Sequence, residues 1–370
     1  MEQQYEINAL ADMIIKFEYV WLDGYDPKNI RMKTRYENWK LDMSQGGGFS
    51  REEVLKRCPD WYFDGSSTNQ APADDSDLIL RPVKVYHNPL EESDMPSFIV
   101  LCDVLNADGV PVESNTRSLL KKALEDSEIE NPLFAVEQEY FIRDAKTNKI
   151  LGLGDESESQ GRYYCGVGAN LAFGRRLSDI HSQVCHQMRL PICGTNAEVA
   201  PGQWEYQLKE QDPISTADDL WISRYLLMKV AENLDCYVDF SPKPIKGDWN
   251  GSGAHINFST KEMMEEGGAS MFERICHTLR LNHEKHIEKY GKENELRLTG
   301  KHETQSIDKF TWGQGDRGAS IRIPVSTLQN KWKGHIEDRR PSSNVDPYEA
   351  FSILIESLNK VEEVTVSQSN

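Results

Sequence analysis

Glu137 and Glu139 stand two residues apart within Phe134–Phe141, a stretch of mostly apolar side chains. In a strand, residues two apart project from the same face. Both carboxylates then point one way, roughly 7 Å apart, with Val136, Gln138 and Tyr140 on the other side. Two ionised carboxylates in a half-buried strand repel each other and lose hydration, so something positive must compensate them. An isolated E-x-E is most simply an exposed edge strand. The sharper reading is a site for hard divalent cations, which favour carboxylate oxygens.

Further stretches carry the same kind of pattern. Asn196–Ala200 turns at Pro201-Gly202 and returns as Trp204–Leu208, a hairpin signal. In Gly253–Ser259, His255, Asn257 and Ser259 share one face, while Ile256 and Phe258 share the other. Ala319–Ile323 alternates, and so does His335–Arg339, where Glu337 and Arg339 share a face. One such strand is a surface strand. Several of them, with faces of Glu, His, Asn and Arg, predict an antiparallel sheet curved round a polar cavity.

The cavity would hold Glu137, Glu139, Glu198, Glu205, Glu337 and His255, with Arg297, Arg317, Arg322 and Arg339. That is an oxygen-rich set suited to roughly two or three Mg²⁺ or Mn²⁺ ions and unlike a structural zinc site. Cations beside guanidiniums make a place for phosphate. No G-x-x-x-x-G-K-[ST] and no kinase loop signature is present, so a nucleotide would be held by cations and Arg. The residues alone thus predict metal-dependent phosphoryl transfer. Taken by itself, Asp64-Gly65-Ser66-Ser67-Thr68 reads as an ordinary turn. His283 and His286, three apart, read as a polar helix face in preference to a metal pair.

The elements that must position these groups follow in chain order. A short amphipathic helix is expected over Met1–Lys16, with Leu10, Met13 and Ile14 on one face. Strands are expected over Phe17–Leu22, Leu78–Tyr86 and Phe98–Leu105, and a flexible loop at Gly46-Gly47-Gly48. Residues 1–110 form a small strand-rich domain and 111–370 the catalytic one. Ser114-Asn115 caps a helix that carries Leu119, Leu120 and Leu124. Asp155–Gly168 is a polar, glycine-bearing loop of active-site type. Helices are predicted over Leu171–Met188, Asp218–Leu234, Ser270–Tyr290 and Tyr348–Leu358.

The net charge of −18 argues against a nucleic-acid surface. No basic and apolar leader and no membrane-length apolar run is seen. Seven scattered cysteines without C-x-x-C suggest free, buried thiols in a reducing cytoplasm.

Seven stretches also agree, in order and over nearly the whole chain, with one known pattern. They are WYFDGSSTNQ from Trp61, FAVEQEY from Phe134, GTNAEVAPGQWEYQ from Gly194, KPIKGDWNGSGAHINFST from Lys243, RLTGKHET from Arg297, RGASIRIP from Arg317 and EDRRPSSNVD from Glu337. Together they resemble type II, eukaryotic-like glutamine synthetase. The resemblance implies an α+β fold with an N-terminal β-grasp domain. It also implies a cytoplasmic homodecamer of two stacked pentameric rings, with each active site shared between neighbouring subunits.

The implied reaction is glutamate–ammonia ligation: ATP phosphorylates the γ-carboxylate of L-glutamate, and ammonia displaces phosphate. By the same resemblance, Glu139, Glu198 and Glu205 hold one Mg²⁺ or Mn²⁺, and Glu137, His255 and Glu337 the other. Arg317 and Arg339 lie near the reacting γ-phosphate and carboxylate, and Arg322 meets nucleotide phosphate. Asn250, Gly251 and Arg297, with Arg317 and Arg339, match the glutamate site. Tyr206, Gln207, Asn257 and Ser259 match the ATP site, together with Glu137, Glu205 and the phosphate-facing arginines. Asp64 matches the acid, supplied by the adjacent subunit, that binds ammonium and takes its proton. Glu303 matches a flap that shields the acyl phosphate.

The chain departs from the pattern at His335 and Ile336, where aromatic residues are usual. It departs again at Gln314-Gly315-Asp316, at Asn69 and over His87–Ser97. The alternatives on the same scaffold are a γ-glutamyl-polyamine ligase and a catalytically inactive structural relative. The intact DGSST favours ammonia over a polyamine, and the six intact cation ligands argue against an inactive relative.

Overall fold

A computed structural model describes residues 10–42, 49–154 and 161–361. The chain divides into two units, Met1–Asn115 and Thr116–Asn370. In the first, β1 (Leu10–Leu22), β2 (Ile30–Asp42), β3 (Trp61–Asp64), β4 (Asp77–His87) and β5 (Ser97–Leu105) form a sheet in the order β2-β1-β5-β4-β3. β1 and β5 run parallel; the other neighbours are antiparallel. Ile15, Phe17, Tyr19 and Trp21 alternate into the core, where Val54 of α1 (Arg51–Arg57) joins them.

That period of two corrects the helix expected over Met1–Lys16. From Leu10 onward these residues are strand, paired with β2 along its whole length. Ile14, read as part of a buried helical face, is 58% exposed. Residues 1–9 and Gly46–Gly48 lie outside the described residues.

The second unit carries a larger sheet, with the order β11-β12-β13-β10-β6-β8-β7 and β9 attached to β6. Its strands are β6 (Leu133–Asp144), β7 (Ile192–Ala197), β8 (Gln203–Gln211), β9 (Cys236–Asp239), β10 (Ala254–Ser259), β11 (Trp312–Gln314), β12 (Ile321–Ile323) and β13 (Ile336–Asp338). β11 and β12 are parallel, and every other neighbouring pair is antiparallel. The expected α+β class with an antiparallel-rich sheet holds.

The helices are α2 (Thr116–Glu125), α3 (Arg175–Gln187), α4 (Pro213–Glu232), α5 (Lys261–Glu265), α6 (Ala269–Leu281), α7 (His283–Lys289), α8 (Val325–Gln329) and α9 (Pro347–Leu358). α4 starts where Asp212 caps the Ser215 N–H and Pro213 occupies the first turn. It covers one face of β6. Its Thr216 hydroxyl donates to the Phe134 carbonyl, and both Nε and Nη2 of Arg224 donate to Gln138 Oε1, at 2.9 and 2.6 Å. Phe134, Val136, Gln138 and Tyr140 are buried on that side. Glu137 and Glu139 are thereby committed to the opposite face.

Two further helix expectations are corrected. Leu119 in α2 is 46% exposed, because its neighbours Leu120 and Ala123 form the buried stripe. The helix expected over Ser270–Tyr290 breaks at Asn282, whose side-chain amide donates to the Thr278 carbonyl and closes α6.

His283 and His286 form neither a metal pair nor a solvated face. Nδ1 of His283 lies 3.1 Å from Arg340 Nη1, and Nδ1 of His286 lies 2.8 Å from Arg340 Nη2. Arg340 in turn donates to both oxygens of Asp338, and the Tyr290 hydroxyl donates to Asp338 Oδ2 at 2.7 Å. His286, Tyr290, Asp338 and Arg340 are buried behind β13, and His283 is half-buried. Asp338→Asn would leave the Arg340 guanidinium uncompensated, so we expect a loss of about 3–5 kcal/mol, read as a lowered denaturation midpoint. An unchanged midpoint would contradict it.

The cysteines are unpaired, as expected, but only Cys58, Cys102, Cys185 and Cys276 are buried. Cys165 and Cys193 are exposed and Cys236 is half-buried, because they fall at turns and strand ends, outside the core.

Candidate active site

Strand register brings the acidic side chains together. His255 on β10 is opposite Glu137 on β6, Asn257 is opposite Glu337 on β13, and Glu139 is opposite Glu205 on β8. His255 Nδ1 lies 3.4 Å from both Glu137 Oε2 and Glu337 Oε1. Ligand atoms of these three residues all lie within 4.8 Å of one another, the one such cluster of three among the described residues. Burial pushes Glu137 up, but the His255 and Asn257 hydrogen bonds outweigh it and hold the carboxyl at about 2. A carboxylate, an imidazole and a second carboxylate at that spacing fit a divalent cation.

Glu139, Glu198 and Glu205 form a looser group with a different balance. A side-chain amide holds one oxygen of each: Gln203 on Glu139 at 3.1 Å, Asn196 on Glu198 at 2.8 Å and Gln207 on Glu205 at 2.8 Å. These donors are neutral. Burial first, and then repulsion from Glu139, pushes Glu198 up to about 8. Burial, and then repulsion from Glu137, Glu198 and Glu139, pushes Glu205 up to about 9. Carboxyls driven this far from their ordinary 4.5 mark a place where positive charge is missing, and a divalent cation fits it.

Between pH 4.5 and about 8 to 9, Glu198 and Glu205 are protonated in the folded chain and ionised in the unfolded one. The folded state binds more protons, so stability falls as pH rises through that window. A cation that replaces those protons cancels the loss. We therefore expect the melting temperature in chelator to drop between pH 5.5 and 9, and the drop to vanish with Mn²⁺. A flat profile in chelator would contradict this.

The arginines divide by role. Glu337, fully buried, accepts from Arg322 Nη1 and from Arg339 Nη1, each at 2.6 Å. The buried Nε of Arg322 has no partner. Arg339 Nε donates to the Arg317 carbonyl, and the side chain of Arg317 itself is exposed. Arg297 is buried and commits its guanidinium to the Arg339 and Arg340 carbonyls and to His255 Nε2, 3.1 Å away. Burial lowers it to about 10, so it remains charged at neutral pH.

Other residues singled out from the sequence are placed as follows. Asn257 donates to Glu137 Oε1 at 2.9 Å, and Ser259 is buried further along the same face of β10. Gln207 lies on the Glu205 face of β8. Tyr206 does not: it is opposite Gln138, and its hydroxyl meets Ser223 Oγ of α4 at 2.7 Å. Its side chain is thus on the helix side, and only its backbone is left for a ligand. Asn250 is half-buried beside Gly251. A Cβ at Gly251 would fall 2.5 Å from the Pro242 carbonyl oxygen and 2.6 Å from Arg297 Cγ, so the backbone approach there requires glycine.

Glu303 is exposed, with His302 and Glu303 both in the left-handed region at φ 55° and 59°. His302 Nε2 lies 3.0 Å from Asp248 Oδ1, and Glu303 is near enough to Glu198 to repel it. Of the loop expected over Asp155–Gly168, residues 155–160 lie outside the described ones; Tyr164 beyond them feels the charge of Glu198 and Glu205. In the first unit, Asp64 ends β3 and caps a short 3-10 turn. Its carboxylate accepts from the Ser66 N–H, the Ser66 hydroxyl and the Ser67 hydroxyl. Those bonds hold it at about 2.

Residues 113–274 match the family described as glutamine synthetase, catalytic domain. Similar curated proteins include the glutamine synthetase of Yarrowia lipolytica, 43% identical over 92% of this chain and 90% of the relative. The nodule isozyme of Medicago sativa is 42% identical over 92% of each. The chloroplastic enzyme of Daucus carota is 41% identical over 95% of this chain and 79% of the relative. Each of these matches spans more than nine-tenths of this chain, and the chain belongs to the glutamine synthetase family.

Proposed function

We propose that this protein is a glutamate–ammonia ligase, forming L-glutamine, ADP and phosphate from L-glutamate, ammonia and ATP. The observation that carries the reading is the Glu137, His255 and Glu337 cluster on one sheet face, with the mutually repelling Glu139, Glu198 and Glu205 near it and Arg322 and Arg339 against Glu337. Glu137, His255 and Glu337 would hold one Mg²⁺ or Mn²⁺, and Glu139, Glu198 and Glu205 another. Bound there, such cations supply charge neutralisation for phosphoryl transfer.

The chain's own residues do the rest. Arg317, Arg322 and Arg339 orient the phosphates of ATP and the γ-carboxylate. A glutamate γ-carboxylate oxygen attacks the terminal phosphorus, and ADP leaves. Asn250, Gly251 and Arg297 hold the amino acid. Gln207, Asn257, Ser259 and the backbone at Tyr206 take the nucleotide. Glu303 closes over the acyl phosphate and keeps water out. Asp64 of a neighbouring subunit binds ammonium and takes its proton, and the ammonia so formed attacks the acyl carbon to release phosphate. The assembly proposed is a cytoplasmic decamer of two stacked pentameric rings. Among the described residues no helix is long and apolar enough to cross a membrane.

The test is phosphate release from Mg²⁺-ATP with L-glutamate and ammonium, and with each omitted. Glutamine and phosphate in equal amounts, only with all components, are expected. Release with a polyamine in place of ammonium, or none with any amine, overturns the assignment.

A further inference from the structure

Gln203 opens β8 and is 1% exposed. Its Nε2 donates to Glu139 Oε2 at 3.1 Å and to the Gly251 carbonyl at 3.0 Å. The Gly253 N–H donates to the same Glu139 oxygen at 2.9 Å. Oε2 of Glu139 is thereby fixed by two donors, and Oε1, 3.9 Å from His255 Nε2, is left for a cation. Both acceptors around Nε2 are oxygens, so the opposite amide orientation would set Oε1 against a carboxylate and a carbonyl. The price of the observed orientation is that Oε1 is buried without a partner. An unmade buried hydrogen bond is destabilising. An apolar side chain of this size would avoid that cost, so packing alone does not account for a glutamine here.

We propose that Gln203 is a positioning residue for the Glu139 cation site. It fixes which carboxylate oxygen faces the cation and ties that carboxylate to the Gly251–Gly253 segment. Groups that hold a metal ligand from behind affect affinity by about 10–100-fold when removed. The effect is confined to one site, because Glu137 is held by Asn257 and His255 and makes no contact through Gln203. The proposal rests on the two-site reading above.

The test is Mn²⁺ titration of the full-length protein, metal-free and without substrates, followed by electron paramagnetic resonance. Wild type is expected to show two classes of site. In Gln203→Leu one class weakens 10–100-fold and the other stays within twofold. Gln203→Asn keeps the amide but is one methylene too short to span both acceptors, and it gives the same selective loss if the leucine variant fails to fold. The KM for L-glutamate rises with it while the KM for ATP holds. Equal weakening of both classes, or of neither, overturns the proposal. A wild-type protein with a single class of site overturns the two-site reading instead.

Discussion

Glu337→Gln is expected to lower kcat/KM by at least about 10³-fold, the scale on which preorganised charge acts in phosphoryl transfer. Three things fail together. The amide removes the negative charge from the His255 cluster, so one cation site is lost. It sets an NH₂ group against a guanidinium, at either Arg322 or Arg339. It also leaves buried positive charge uncompensated, since Arg339 is 8% exposed and Glu337 fully buried. Breaking such a pair costs about 3–5 kcal/mol, so the denaturation midpoint should fall as well. Steady-state phosphate release and a count of bound Mn²⁺ check the prediction. Activity within tenfold of wild type, with both cations bound, would contradict it.

The second large effect is at Asp64. Removing its carboxylate by Asp64→Ala should reduce ammonium-dependent turnover by about 10²–10⁴-fold, the range for a positioned proton-transfer group. The side chain is exposed but caps the 3-10 turn, so a modest loss of stability is expected alongside. Three serine-derived hydrogen bonds hold the carboxyl at about 2. A carboxylate so stabilised is ionised at neutral pH, ready to attract the cation and then to take its proton. The loss should therefore appear chiefly as a raised KM for ammonium, measured at saturating ATP and glutamate. A KM for ammonium unchanged from wild type would remove Asp64 from the reaction.

The site was legible in the sequence because strand alternation writes a polar face in every second letter. Glu137 and Glu139, His255 and Asn257, and Glu337 and Arg339 each announce one face, and the register stacks those faces. The same rule separates Tyr206 from Gln207, adjacent in one motif but on opposite sides of β8. It likewise separates the Glu337–Arg339 face from the buried Asp338–Arg340 pair.

What the sequence hid had a physical reason. β2 is an edge strand with charged residues on both faces and one deeply buried anchor, Trp39, so no apolar period marks it. The residues from Leu10 to Lys16 satisfy a helical stripe and a strand equally over so short a window, and pairing with β2 decides. Gln203 carries no charge and no alternation marks it; only the fold sets Glu139 and Gly251 on either side of its amide. His283 and His286 looked like surface because nothing local reveals Arg340, more than fifty residues away in the chain.

The proposed reaction turns on an acyl phosphate made at the sheet face that carries Glu137, His255 and Glu337. The most direct measurement supplies L-glutamate labelled with ¹⁸O in its γ-carboxylate, with Mg²⁺-ATP and ammonium, and weighs the phosphate released. One ¹⁸O is expected in phosphate for each glutamine formed. Glutamine formed with unlabelled phosphate would contradict it, since the γ-carboxylate oxygen would never have been bonded to phosphorus.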